Sequence, residues 1–228
     1  MRIVFFTGAG ISAECGLRTF RDSDGLWEEH RIEDVATPEA FARDPARVLC
    51  FYDERRLQVL KAEPGPAHLA IADLEHFAEV KVVTQNIDDL HERAGSTNVL
   101  HLHGEILMAR STSDPTLIFS VQGPSLALGD LCPLGSQLRP HIVWFGEEVP
   151  LLYEAADIVE QADVLVIVGS SLQVYPAAGL VHAAPAHASI HLVDPQDVGA
   201  RGPRVRHWKE KASTGVPMLA DFLKEGLR

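Results

Sequence analysis

The sequence predicts an α/β protein, a mostly parallel sheet with helices on both faces and a smaller lobe made of two insertions, on three observations. Short, fully apolar runs recur along the chain. Segments of helical spacing lie between several of them. The first run, Ile3–Phe6, leads directly into Gly8-Ala9-Gly10. Apolar strands alternating with amphipathic helices are the pattern of a parallel sheet buried on both faces.

The strands are read, in order, at Ile3–Phe6, Val80–Thr84, Val99–Leu102, His141–Phe145, Val164–Val168 and Ile190–Val193. Helices are expected at Pro66–Phe77, Ile87–Ala94, Leu151–Gln161 and Ala177–Ala184. Two stretches break this rhythm. Residues 27–65 read as helical at Pro38–Arg43 and Pro45–Leu60, with no strand, and residues 106–138 are rich in Ser, Thr, Gly, Pro and Asp with weak periodicity. The expected organisation is one catalytic domain with a large lobe at 1–26, 66–105 and 139–228. A small lobe takes up 27–65 and 106–138.

Composition narrows the function. With 46% hydrophobic and 23% charged residues the chain is an ordinary globular protein. Twenty Lys and Arg against 32 Asp and Glu give a net charge of −12, and no basic stripe is interleaved with aromatics, which argues against nucleic acid and for a basic peptide or protein partner. Three cysteines, no basic leader and no apolar run near the ~20 residues of a membrane span predict a cytoplasmic protein without disulfides or membrane contact.

Five stretches carry chemistry. Gly8-Ala9-Gly10, with Ala13, fits G-x-G-x-x-[GA] after a strand and before an expected helix, which brings backbone close to a pyrophosphate. The acidic residue that a dinucleotide fold carries about 20 residues on is replaced by the loop Asp22-Ser23-Asp24, so a dehydrogenase layout is disfavoured. Gly169-Ser170-Ser171 and Val193-Asp194 are further strand ends suited to ribose or phosphate. Gln85, Asn86 and Asp88 follow a strand and suit an amide or ribose, Asn86 and Asp88 being equally able to cap a helix. His101 and His103 lie two apart on a strand, and His103, beside Gly104, is the better candidate for a general base.

Taken together, Gly8-Ala9-Gly10-Ile11-Ser12, Thr19-Phe20-Arg21, Thr84-Gln85-Asn86-Ile87-Asp88, His103-Gly104, Leu138-Arg139-Pro140 with Val143-Trp144-Phe145-Gly146-Glu147, and Gly169-Ser170-Ser171-Leu172 stand in sirtuin order. The chain resembles the sirtuins, NAD-dependent protein-lysine deacylases. That resemblance implies a Rossmann-like sheet with NAD's pyrophosphate over the Gly8-Ala9-Gly10 turn and its adenosine ribose near Gly169, Ser170, Ser171 and Asp194. Gln85, Asn86 and Asp88 would hold the nicotinamide ribose and carboxamide. Phe20 would shield the reacting face, and Arg21 would place ribose and phosphate. The acyl oxygen would attack C1′ as nicotinamide leaves, with Asn86 and His103 catalytic, and His103 would act as base so that the 2′-oxygen takes the acyl group.

An acyl-lysine protein or peptide would add as a strand between Val143, Phe145, Gly146 and Glu147 on one side and Leu172 and Val174 on the other. Tyr52 and Arg55, three apart on an expected helix, share a face. They resemble the pair of the desuccinylase and demalonylase class, although Arg56 is a second source of charge. The expected activity is NAD-dependent deacetylation with desuccinylation and demalonylation, by a monomer. NAD glycohydrolysis, ADP-ribosyl transfer or a non-catalytic NAD sensor are the alternatives.

The chain departs from the family where most sirtuins carry a structural zinc on two Cys-x-x-Cys pairs. Here the positions read Ser111-Thr112-Ser113-Asp114 and Cys132-Pro133-Leu134-Gly135, one thiol in place of four, so no zinc is expected. Residues 106–138 would instead be held by apolar contacts of Leu107, Leu117, Ile118, Phe119, Leu126 and Leu131, or remain mobile. Ser170 replaces a common Thr, and Asp194 stands where Asn is common, which favours NAD over NADP.

Overall fold

The computed structural model describes residues 1–17, 26–27, 30–199 and 202–226. Eleven strands are present among them: β1 (Arg2–Thr7), β2 (Leu26–Trp27), β3 (His30–Arg31), β4 (Glu79–Thr84), β5 (Val99–His101), β6 (Gly104–Ser111), β7 (Ile118–Ser120), β8 (Leu138–Ile142), β9 (Val164–Val168), β10 (Ser189–Val193) and β11 (Val205–Trp208). The α-helices are α1 (Ile32–Val35), α2 (Pro38–Arg43), α3 (Pro45–Lys61), α4 (Pro66–Leu74), α5 (Leu90–Ala94), α6 (Leu152–Val159) and α7 (Ala212–Gly226).

Six strands form one parallel sheet in the order β11-β10-β9-β1-β4-β5. Counted within the sheet this is 3-2-1-4-5-6 read from β5, the doubly wound Rossmann order, with its switch point between β1 and β9. Alternation along β1 explains why both faces are covered. Ile3 and Phe5 pack with Ile71 and Leu74 of α4 and Val216 and Leu219 of α7, while Val4 and Phe6 pack with Ala155 and Val159 of α6 and Leu180. All four β1 side chains are fully buried.

Several elements differ from the sequence reading. The Gly8 turn leads into two short 3-10 turns, Ala9–Ile11 and Ala13–Cys15, in place of an α-helix. The strand expected at His141–Phe145 lies instead at Leu138–Ile142. Beyond Ile142 the Glu147 carboxylate takes the Trp144 N–H at 2.8 Å and Gly146 turns at φ 90°. Residues 27–65 contain strand β3, paired to β2, and helix α1 as well as the two expected helices. β11 and α7 were not legible, because Gly215 and Pro217 read as helix breakers. Gly215 is needed there: a Cβ would stand 2.5 Å from Cγ1 of Val193 on β10.

The second insertion is not irregular. It builds an antiparallel sheet in the order β7-β6-β8, which reaches past the expected limits of 106–138 to Gly104 and Ile142. A third apolar cluster joins this sheet to the helical insert, through Val35, Ala40, Val48, Phe51, Tyr52, Ile106, Ile142 and Trp144. No helix of the described residues is long and apolar enough to cross a membrane.

Candidate active site

The site is assembled at the carboxyl ends of β1, β4, β5, β9 and β10, around the switch point. The turn after β1 and the turn after β9 approach backbone to backbone: Gly8 N donates to Val168 O at 3.0 Å and Gly10 N to Gly169 O at 2.9 Å. A Cβ on Gly10 would lie 2.6 Å from Gly169 Cα, and one on Gly169, whose φ is 59°, would lie 2.5 Å from Ile11 N. The glycines therefore serve first to bring two strand ends together, with Ala9 half-buried between them. This is the cradle expected of a dinucleotide turn, reached by loop-to-loop contact.

Below that turn runs a buried polar chain. Asn86 Nδ2 donates to Ser12 Oγ at 3.1 Å, and Ser12 Oγ donates to Asp88 Oδ2 at 3.0 Å. Asp88 Oδ1 also accepts the Leu90 N–H, so Asp88 caps α5 from two residues before it, and the helix begins later than Ile87. Burial pushes the Asp88 carboxyl up, with the Leu90 N–H and the Ser12 hydroxyl pulling the other way. Gln85 Nε2 donates to Ser170 Oγ at 2.9 Å and so links the β4 end to the β9 end. Ser170 Oγ also accepts the Leu172 N–H, and Asp194 Oδ1 accepts the Gln196 N–H. Ser12 was not singled out from sequence as a site residue. Its signal is a lone hydroxyl directly after a glycine turn and an apolar Ile11.

The two histidines have different work. His101 is buried, with Nδ1 on the Asn86 carbonyl at 2.9 Å and Nε2 on Glu92 Oε1 at 2.8 Å. Burial lowers its pKa, but the Glu92 hydrogen bond and charge outweigh that and raise it, so His101 holds Asn86 from behind. His103 lies in the turn between β5 and β6. Its Nδ1 faces the Gln85 carbonyl at 3.0 Å, and since a carbonyl only accepts, the proton sits on Nδ1 and the lone pair is left on Nε2, where it can accept a proton. Burial lowers the pKa of His103, partly offset by that carbonyl, so the ring is neutral near pH 7.

On the other side of the cleft, Phe145 N donates to Ala36 O, Glu147 N to Trp144 O and Val143 N to His103 O. The Glu147 carboxylate is held by Arg139, Arg110 and the Trp144 N–H, at 2.7 to 3.2 Å. Burial raises its pKa, and the Arg139 bond with the other partners brings it below the ordinary value. Leu172 is held at φ 55°, rare for a branched side chain, and Val174 O accepts the Ala178 N–H. Gly146 is at φ 90°. Phe20 and Arg21 lie outside the described residues.

Helix α3 places Tyr52 and Arg55 together. Tyr52 is fully buried and its hydroxyl accepts the Trp144 indole N–H at 2.9 Å, which joins α3 to the Val143–Glu147 segment. Burial pushes its phenol well up. Arg55 is 7% exposed, packs over the Phe51 ring and bonds the exposed Glu54 through Nη2 at 3.2 Å; its Nε and Nη1 are buried without a partner among the described residues. Arg56 is better answered: its Nε donates to Ile106 O and its Nη1 to Asp53 Oδ1 and Pro124 O, so its charge is paired and it fastens α3 to the small lobe, although its Nη2 is also buried without a partner among the described residues.

Comparison with known proteins agrees with this arrangement. Residues 8–176 match the model of the Sir2 family. The chain belongs to the Sir2 family. It is 53% identical over 202 residues to a Helicobacter pylori protein named NAD-dependent protein deacylase, covering 89% of this chain and 88% of that one. A Bacteroides thetaiotaomicron protein of the same name is 47% identical over 227 residues, covering 97% of each. Among solved structures, a Sir2 homologue in complex with NAD superposes with a TM-score of 0.86 at 40% identity, covering all of this chain and 91% of that one. The protein is thus an enzyme of the sirtuin type. Neither a bare sensor nor a fold with a chance glycine turn accounts for a match of this extent.

The zinc module of the family is the place where the residues do not fit. Ser111, Ser113, Ser136 and Cys132 bond one another, while Asp114 turns to Thr116. Three neutral hydroxyls and one thiol are not the donor set of a closed tetrahedral zinc site.

Proposed function

We propose that this NAD-dependent protein deacylase removes acidic acyl groups, succinyl and malonyl, from lysine side chains as well as acetyl. The observation that carries the reading is Arg55, a buried guanidinium with two of its three nitrogens unanswered among the described residues. A buried cation without a partner costs several kcal/mol, and a carboxylate on the acyl chain answers it by a forked pair. Arg56, one residue on, is already engaged, so the charge available to a ligand is that of Arg55. Tyr52 fixes the turn of helix from which Arg55 projects.

When bound, NAD supplies the ADP-ribose to which the acyl group passes as nicotinamide leaves. The chain fits it by the close-packed Gly8 and Gly169 turns and by the Ser12, Asn86 and Asp88 chain, with Gln85 and Ser170 beside it. Asn86 is presented by two supports, Ser12 at its amide and His101 at its carbonyl. His103 takes the ribose hydroxyl proton at Nε2, its tautomer fixed by Gln85. The substrate backbone pairs with Gly146 and the carbonyls of the Val143–Glu147 segment, since the Phe145 and Glu147 N–H groups are engaged, and with the Leu172–Val174 segment opposite. Specificity then rests on the acyl pocket. The reading includes an enzyme that works on NAD without zinc, in the cytoplasm, as a monomer.

Matched acetyl-, malonyl- and succinyl-lysine peptides with NAD test it. Arg55→Met is expected to lower kcat/KM for the acidic peptides by about 100-fold, the loss of a charge-assisted pair, and to leave acetyl turnover within a few-fold. His103→Ala is expected to lower all three by about 100-fold or more. Equal loss of acetyl and succinyl turnover in Arg55→Met defeats the acidic-acyl reading. NAD consumption with no peptide deacylated would point to a glycohydrolase.

A further inference from the structure

The small lobe contains a polar cluster that the active site does not use, at the tip of the β6, β7 and β8 sheet. The Ser136 hydroxyl stands 2.9 Å from Ser111 Oγ, 2.7 Å from Ser113 Oγ and 3.1 Å from Cys132 Sγ. A hydroxyl has one proton to give and two lone pairs, so three partners fill it. The cluster joins two separate pieces of chain: the end of β6 and the turn after it, through Ser111 and Ser113, and the 132–136 turn closed by Cys132 N to Ser136 O at 2.8 Å and Gly135 N to Cys132 O at 2.8 Å. Ser111 Oγ also accepts the N–H groups of Ser113 and Asp114.

Next to the hub, Gln137 extends the link. Its Nε2 donates to the carbonyls of Ala127, Asp130 and Leu138, and its Oε1 accepts the Gly129 N–H. The apolar contacts expected to hold this lobe contribute less than the sequence suggested. Leu126 is buried, but Ile118 and Leu131 are 42% and 54% exposed. Polar bonds therefore do the joining at the tip, where the chain has the spacing of two Cys-x-x-Cys pairs and one of their thiols.

We infer that Ser136 is the hub of a hydrogen-bonded cross-link standing where the family's zinc site would be, so that the small lobe keeps its shape without a metal. The inference rests on the family membership and on this cluster, and not on which acyl group is removed. Its test therefore reads metal content and stability, separately from turnover. The full chain, produced in zinc-supplemented medium, is expected to hold far less than one zinc per chain by elemental analysis, and its Tm is expected to be the same with and without EDTA. Ser136→Ala, which removes the hub, is expected to lower Tm by about 3–8 °C, whereas Ser136→Thr, which keeps the hydroxyl, retains most of the wild-type Tm. One zinc per chain together with a fall in Tm on chelation overturns the inference. So does a Ser136→Ala protein that melts with the wild type.

Discussion

The cradle at the end of the parallel sheet and the junction between α3 and the small lobe are both buried, yet they are held by opposite means. At the cradle two backbones touch because Gly8, Gly10 and Gly169 have no side chains. At the junction the contact is made by long charged side chains, with Arg56 reaching Ile106 and Pro124 carbonyls and Asp53 accepting from Ser125 and Leu126. The lesson is that the first region tolerates no added atom, while the second tolerates any change that leaves no charge or carbonyl stranded. Arg55 lies on the same helix as that junction, a buried cation whose Nε and Nη1 have no partner among the described residues.

The comparison can be broken most severely at Gly10. Gly10→Ala drives a methyl to within 2.6 Å of Gly169 backbone, which cannot swing aside as a flexible side chain would. The expected outcome is loss of measurable NAD binding by calorimetry, with turnover reduced in parallel. Tight NAD binding in that variant would show that the two turns have room to separate, and the contrast with the junction would fail.

Arg56→Met sharpens the other half. It leaves the Asp53 carboxylate and two carbonyls without their cation, an expected loss of about 3–5 kcal/mol and a Tm lower by roughly 10 °C. Arg55→Met, one position away and also buried, removes a single bond to the exposed Glu54 and keeps an apolar side chain over Phe51, and is expected to leave Tm nearly unchanged. Calorimetric melts of the two variants side by side decide the matter; equal losses would mean that Arg55 is held by the fold rather than reserved for a ligand.

The smallest expected effect is on pH. Burial holds His68 and His191 down to about 4 and also lowers His91 well below its ordinary value. A depressed folded pKa means that the unfolded chain binds the proton first. Stability is complete above about pH 6.5 and falls as pH drops toward 4, by about 1.4 kcal/mol per pH unit for each such histidine. His101, raised by Glu92, contributes in the opposite sense, its stabilisation present below pH 6.5 and lost as pH rises through its folded value. Urea midpoints between about pH 7 and about pH 4.5 should fall steadily. A level midpoint would show that these rings take up protons inside the fold.

Much of the site was legible because its residues are local to strand ends. Gly8, Asn86, Asp88, His103 and Ser170 each follow an apolar run, and the parallel sheet brings such ends together whatever the loops do. Phe20 and Arg21 lie outside the described residues. The antiparallel strands of the second insertion were not legible, since β6 mixes buried and half-exposed positions and β7 and the 132–136 turn are held by serines and a glutamine that read as loop.

The sequence by itself determined the class of fold and the family, since periodicity and short motifs are properties of neighbouring residues. Which arginine faces a partner and which faces a carbonyl was decided only by tertiary structure. Arg55 and Arg56 are chemically identical and adjacent, so no local pattern separates them. Their difference is about 100° of helix rotation, and what that rotation meets is β6 and the 124–126 turn for Arg56 and, for Arg55, the Phe51 ring and the exposed Glu54, with Nε and Nη1 unpartnered among the described residues.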